Sequence, residues 1–434
     1  LSKVKQYVMY RKIAITIISL FSLSASKAQN SETVLSLNRE QIEALFLDQN
    51  LDLLAKKMEI SQAEAQLIQA RLWSNPTFEI SEVNLWKTTD IEEQPPVFGN
   101  WGQAQQISVH LEQLIETAGK RRKNIALQKL SIEEKQKDFE SVLRESKLEL
   151  RNTLSNIQML QEQQKIYQEQ IDNTQSLIKA FKNQLDTGNI SQAEYVRLKA
   201  AELQFRKELN DVNKELEENL KNLKNFINLK NNIQITITEK LKDPDKEVSE
   251  LELEDWILHA QENRPDILLS KNLELQSQKK LEIEKAQRIP DLTFGIDYDR
   301  GGNIMRDFIG FGVSFDLPVF DRNKGNIKDA QIEIEIAKLE TQNKLNQTAN
   351  DIVEAYRNYY QVKELYNQIE PDYEQQLDKL LEAYIKNFKL KNINMIEYLD
   401  FVEAYLDNKN IMLETLKELN EYFENLQFAV GKDL

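Results

Sequence analysis

Few side chains in this sequence are spaced for chemistry. There is no glycine-rich phosphate loop, no nucleophile elbow and no histidine pair at zinc-binding spacing. The chain has only two histidines and no cysteine. His110 falls on the polar side of an alternating stretch, and one histidine per strand is not a ligand set; His259, close to Trp256, reads as a packing or surface residue. Lys120-Arg121-Arg122-Lys123 is a compact basic run. It fits either a contact with anionic lipid headgroups or a plain solvated helix start. Glu397 and Asp400 stand three apart and so share one helix face. By spacing alone that is a solvated face. Paired carboxylates are too common here to mean catalysis, so the available chemistry is the attraction and repulsion of ions. No enzyme activity, cofactor or resident metal is expected.

The elements that position these residues should be long and mostly helical. Among 434 residues there are only 11 Gly and 8 Pro, too few for many tight turns. Leu, Lys, Glu and Gln, all good helix formers, are abundant. The formal charge of −15 opposes attraction to phosphate backbones, and nucleic acid is not an expected partner. Lys3, Lys5, Arg11 and Lys12, the apolar run Ile13 to Leu23 and the small-residue site Ser26-Lys27-Ala28 read as a targeting segment over 1–28, with the mature chain starting near Gln29. That apolar run is roughly half of the ~20 residues a spanning helix needs. Without cysteine there is no disulfide or lipidated cysteine, so stability has to come from packing and oligomerisation.

The chain repeats itself. Asn50-Leu51-Asp52-Leu53-Leu54 leads to Asn75-Pro76-Thr77-Phe78, as Arg264-Pro265-Asp266-Ile267-Leu268 leads to Pro290-Asp291-Leu292-Thr293-Phe294. Asn189-Ile190-Ser191-Gln192-Ala193-Glu194-Tyr195 recurs as Asn392-Ile393-Asn394-Met395-Ile396-Glu397-Tyr398. The expected repeats are 29–240 and 241–434, each with a helix, a proline, two strands and two long helices.

The strands show as alternation, expected over about 77–86, 104–114, 291–299 and 308–317. Ile107, Val109 and Leu111 alternate with Ser108, His110 and Glu112; Leu292, Phe294, Ile296 and Tyr298 alternate with polar or small residues, and so do Ile309, Phe311, Val313, Phe315 and Leu317. Period two with one apolar and one polar face fits strands between a greasy and a wet environment. The stretch from Thr77 to Trp86 changes phase near Glu82, where a bulge could sit. No apolar run is long enough to span a membrane as a helix, so only a closed barrel of strands could do so. Four strands do not close a barrel, which needs about eight, so copies must pool theirs.

Long helices are expected over about 117–187, 190–230, 323–389 and 393–430. Apolar residues recur every seven positions at Leu143, Leu150 and Ile157, at Ile171, Ile178 and Leu185, and at Leu209, Leu216 and Leu223. Leu345, Ile352, Tyr359, Tyr366, Tyr373 and Leu380 form a further ladder, which Pro371 should kink or restart. Such ladders make left-handed supercoiled seams. The turns between paired helices are short, Asp186 to Asn189 and Leu390 to Asn392.

Together these residues resemble the outer-membrane efflux proteins of the TolC family, over nearly the whole mature chain. Arg264-Pro265-Asp266 looks like the opening of that family's second repeat, and Leu317-Pro318-Val319-Phe320-Asp321-Arg322-Asn323-Lys324-Gly325 looks like the end of its last strand. Leu111-Glu112-Gln113-Leu114-Ile115-Glu116-Thr117-Ala118-Gly119-Lys120-Arg121 resembles the CzcC-like metal-efflux branch. The resemblance implies a mainly α chain with a small β part: a homotrimer with a twelve-stranded barrel in outer-membrane lipid and a periplasmic tunnel of helices. It also implies adaptor docking at the hairpin tips, near Gly188, Asn189, Lys391 and Asn392, and a periplasmic gate of Glu397 and Asp400. The second tip lacks the glycine common in the family.

The implied function is the exit duct of a tripartite efflux system, carrying heavy-metal cations from a resistance-nodulation-division pump through a periplasmic adaptor, the membrane fusion protein. A duct for drugs or for type I protein secretion keeps the same architecture. A periplasmic coiled-coil adaptor or scaffold without a pore is the alternative of another class, and the alternating strands favour the duct.

Overall fold

The computed structural model describes residues 33–84, 95–99, 105–188, 190–230, 232–244, 252–300, 305 and 307–432. The targeting segment expected over 1–28, Trp86 and Asn189 lie outside them. The described helices are α1 Arg39–Gln49, α2 Leu51–Ala70, α3 Lys120–Asp186, α4 Gln192–Phe226, α5 Leu253–Asn263, α6 Pro265–Gln287, α7 Lys324–Asn367, α8 Tyr373–Lys389 and α9 Met395–Val430. The strands are β1 Thr33–Leu37, β2 Thr77–Asn84, β3 Gln106–Ile115, β4 Ile233–Ile237, β5 Leu292–Arg300 and β6 Asp307–Ser314. At 67 residues, α3 is about 100 Å long. No described helix is long and apolar enough to cross a membrane.

Two compact units are present. The first comprises the described parts of Leu1–Lys56, Phe139–Arg264 and Leu345–Leu434. Its cores follow the seven-residue ladders. Leu150, Ile157, Leu216 and Leu223 are buried with Ile42, Phe46 and Ile235; Ile171 and Ile178 with Leu198, Leu381 and Tyr398; Ile352 and Tyr359 with Trp256, Leu419 and Phe423. The last ladder does not continue to Leu380. The chain breaks between Asn367 and Tyr373 around Pro371, and the restarted helix buries Leu377 and Leu381 while Leu380 is 46% exposed. A proline lacks the amide a continuing helix needs, so the new helix takes its own phase. The parallel pair β1–β4, from Thr33 opposite Ile233 to Leu37 opposite Ile237, is not among the expected strands.

The duplicated junctions share a capping device. Asn50 and Arg264 are both buried, and each ends a short helix in an extended conformation immediately before the next helix starts. Asn50 Nδ2 donates to the Phe226 carbonyl at 3.0 Å, at the end of α4, while its Oδ1 accepts from Leu53 N at 2.9 Å. Arg264 Nη1 donates to the Ala429 carbonyl at 2.8 Å, near the end of α9. Each junction residue therefore satisfies a carbonyl that a helix end leaves unpaired. Gly431 then turns the chain at φ +84°, and a Cβ there would lie 2.8 Å from Arg264 Cγ.

The second unit comprises Lys57–Asp138 and Pro265–Lys344 and holds a four-stranded antiparallel sheet in the order β2-β3-β5-β6. The phase change at Glu82 is a bulge: its φ is +51°, and the register shifts between Ser81, opposite Ser108, and Asn84, opposite Gln106. The last strand stops at Ser314, short of the expected 317. Beyond the pair Thr293–Ser314 the same register would bring Pro290, which cannot donate, opposite Leu317, and Pro318 follows.

Replacing Asn50 with Ala should cost about 1–3 kcal/mol by stranding two buried backbone groups. Hydrogen exchange should show lost protection at Leu53 and in the last turn of α4. Gly431→Ala should loosen the end of α9 in the same assay, through both the positive φ and the Arg264 clash.

Candidate functional site

The sheet of the second unit sorts its side chains by chemistry. Residues directly opposite one another on paired strands lie on one face. The rows Phe78–Leu111–Ile296–Phe311 and Ile80–Val109–Tyr298–Ile309 are apolar or aromatic throughout, and Phe294 with Val313 extends that face. Most of these residues are exposed, Phe311 to 82%. On the other face lie Glu79–His110–Asp297–Gly310 and Thr77–Glu112–Gly295–Gly312, then Ser81–Ser108–Asp299–Phe308. Phe308 is the one residue of those three rows that is neither polar nor glycine. The outer strands β2 and β6 complete the four-stranded sheet.

His110 sits among carboxylates there: Nδ1 meets Asp297 and Nε2 meets Glu112. Ser108 Oγ lies 3.2 Å from Asp299 Oδ1, and the bulged Glu82 accepts from Gln106 Nε2 at 2.8 Å. Among the described residues no group of three or more His, Asp or Glu is placed to hold a metal ion.

The basic run at the start of α3 matches neither expected reading for its first residue. Lys120 is buried, and its ammonium lies 2.8 Å from Asp291 Oδ1, which also accepts from Thr117 N at 2.8 Å. Arg121 donates to the Arg71 carbonyl and lays its guanidinium 4.4 Å from the Trp73 ring centroid. These contacts pin the entry to the second strand pair. A buried lysine is not readable from a run of four cations.

In the first unit, the recurring motif at the two hairpin tips proves to be a capping box. Ser191 Oγ accepts from Glu194 N and Glu194 Oε2 accepts from Ser191 N at 2.8 Å; Asn394 Oδ1 accepts from Glu397 N and Glu397 Oε2 accepts from Asn394 N at 3.1 Å. The signal was in the sequence as Ser or Asn followed three residues later by Glu. The exposed Glu397 carboxylate is thus engaged at its own helix start, while Asp400, one turn on, is exposed. The bonds from Ser191 hold the Glu194 carboxyl below its ordinary range, with help from nearby Lys391. Its share in stability is therefore full above the ordinary carboxylate range and is lost as pH falls through the depressed value.

The tips turn through matching positions. Aligning the two boxes pairs Gly188 with Lys391, and both are left-handed, at φ +76° and +61°. The glycine expected but absent at the second tip is thus replaced at the same backbone position by a lysine, which costs about 1 kcal/mol. Beyond the second tip, Met395, Val402 and Lys409 stand on one seven-residue ladder, and all three are buried. Lys409 reaches Glu374 at 2.8 Å and Asp378 at 2.9 Å, and Tyr405 donates to Asp378 at 2.9 Å. Burial opposes the Lys409 charge, but its bonds to Glu374 and Asp378 outweigh that and raise its pKa. The cluster borders a groove of about 980 Å³. A lysine on an apolar ladder was the sequence signal for it.

Comparison with known proteins follows this geometry. Residues 44–229 match the family described as outer membrane efflux protein. No curated protein matches the sequence. The fold is that of solved outer-membrane channels. It matches the CmeC outer membrane channel of Campylobacter jejuni with a TM-score of 0.73 at 18% identity, covering 95% of this chain and 91% of that one. It matches the open state of the MtrE outer membrane channel of Neisseria gonorrhoeae at 0.70 and 14%, covering 94% of each. The outer membrane protein VceC of Vibrio cholerae matches at 0.68 and 16%, covering 91% of this chain and 96% of that one.

Lys391→Gly should relieve the strained tip and stabilise the second hairpin by about 1 kcal/mol, whereas Gly188→Ala should destabilise the first by a similar amount. Hydrogen exchange of the amides flanking each tip reads both effects.

Proposed function

We propose that this chain is the outer-membrane exit duct of a tripartite efflux system. The observation that carries it is the sorting of the four-stranded sheet into an exposed apolar face and a polar, charged face. In lipid the apolar face can stay exposed, but the outer edges of β2 and β6 must find partners. Three copies supply twelve strands, and β6 of each copy pairs with β2 of the next to close a barrel with its polar face inward. The efflux-protein match of residues 44–229 and the channel fold support this reading.

In this proposal the two repeats, 29–240 and 241–434, each give one helical hairpin to a periplasmic tunnel. A periplasmic adaptor docks near Gly188, Asn189, Lys391 and Asn392, and an inner-membrane pump supplies the energy. The cargo is heavy-metal cations, supported by the resemblance of the stretch from Leu111 to Arg121 to the metal-efflux branch. Glu397 and Asp400 form the gate: six carboxylates converging under threefold symmetry attract cations, and they either close the tunnel around a bound metal ion or, deprotonated without one, repel it open.

Deleting the gene should sensitise cells to zinc, cobalt, cadmium, copper or silver, with restoration by the gene. Sensitivity to dyes and detergents alone would keep the duct but change its cargo. The gate is tested separately in planar bilayers. Glu397→Gln keeps an oxygen for the capping box while removing the charge, so with Asp400→Asn it should raise resting conductance or alter its cation sensitivity without unfolding the tip. Unchanged currents would sink the gate.

A further inference from the structure

His110 is held in a way that fixes its charge. Both ring nitrogens face carboxylate oxygens, Nδ1 to Asp297 Oδ1 and Nε2 to Glu112 Oε1. A carboxylate without a proton only accepts, so both nitrogens must carry hydrogen, which is the imidazolium form. The ring has a seat built for it. Gly295 lies under it, and a Cβ there would stand 3.2 Å from His110 Cε1. Across the sheet, Glu79 on β2 lies opposite His110, and β6 contributes Gly310 opposite Asp297 and Gly312 opposite Gly295. The next row adds Asp299, with Glu82 bonded to Ser108 beside it.

We propose that His110 sets the ion selectivity of the barrel: as an imidazolium between Asp297 and Glu112 it cancels part of the negative charge of the pore wall. The inference rests on the duct reading, which turns this face toward the water-filled interior. Around His110 the wall carries the three carboxylates of Glu79, Glu112 and Asp297 against one imidazolium, a net charge of −2 per chain that becomes −3 when the ring is neutral. The neutral ring keeps a single N–H, so one of the two bonded carboxylates then also loses its donor and becomes available to passing cations. Wall charge of this kind steers ions over about a Debye length, near 30 Å at 0.01 M salt and 10 Å at 0.1 M. Selectivity at low salt is therefore its readout.

Purified trimers in planar bilayers under a potassium chloride gradient, with the dilute side near 0.01 M, give the reversal potential. In the wild type it should shift toward the potassium equilibrium potential as pH rises from about 7 to 10, because a ring that is still an imidazolium at neutral pH gives up its proton only above it. His110→Gln should lie at the cation-selective end at both pH values, with that shift lost. His259→Gln, removing the only other histidine, should keep it, and Glu79→Gln should move the potential the opposite way. Pores of His110→Gln that match the wild type in potential and pH response overturn the inference while leaving the duct intact. Wild-type protein that forms no pore overturns both. Should His110→Gln fail to assemble, nitrogen NMR of histidine-labelled wild-type protein decides: both ring nitrogens of His110 protonated at neutral pH supports the inference, and a neutral tautomer ends it.

Discussion

On the proposed duct reading one constraint governs the rest of the molecule: a backbone amide or carbonyl in hydrocarbon has no water to bond. The four-stranded sheet meets it across three ladders, from β2 through β3 and β5 to β6. It leaves the outer edges of β2 and β6 to be satisfied elsewhere. In water, an exposed apolar face bearing Phe78, Ile296 and Phe311 would be a second liability. In lipid that face is at home and only the edges remain. Pairing copies around a closed ring is the arrangement that resolves both at once.

The helical elements answer a different demand, that long helices start and stop where they should. Capping boxes at Ser191–Glu194 and Asn394–Glu397 start the returning arms of both hairpins, and Asn50 and Arg264 hold their far ends. Helix ends carry unpaired backbone groups whatever the tertiary fold, so each half of the duplicated chain solves the same problem with residues at corresponding positions. The correspondence is chemical and not literal: asparagine in one half does by amide what arginine in the other does by guanidinium. At the tips, Gly188 and Lys391 share a left-handed backbone although only one of them is suited to it.

Much of this was legible because it depends on period. The seven-residue ladders marked Leu150, Ile157, Ile352 and Tyr359 as core, and alternation marked both faces of β3, β5 and β6. The lost phase at Glu82 marked the bulge. What period could not show was pairing at a distance. β1 and β4 are five residues each and lie 200 apart where Thr33 meets Ile233, too short for alternation to stand out. The last ladder keeps Tyr366 and Tyr373 against the cores but loses Leu380, because Pro371 resets helical phase. Lys120, Lys409 and His110 were visible as residue types, but their partners Asp291, Glu374 and Asp297 come from other elements. Glu397 was legible twice, as a helix-face carboxylate and as the last member of a capping box, and the structure shows the second.

The claim at the centre is that β2 of one copy pairs with β6 of another. Because the chain has no cysteine, single cysteines placed along β2 and β6 can report it without background. Within one chain β3 and β5 separate these strands by about 14 Å, far beyond the ~4 Å between Cβ atoms that a disulfide spans. Oxidising native membranes that carry chains with one cysteine on each strand should give a ladder ending in a closed trimer at the matching positions. Chains that stay monomeric at every pairing tried along both strands would contradict the account.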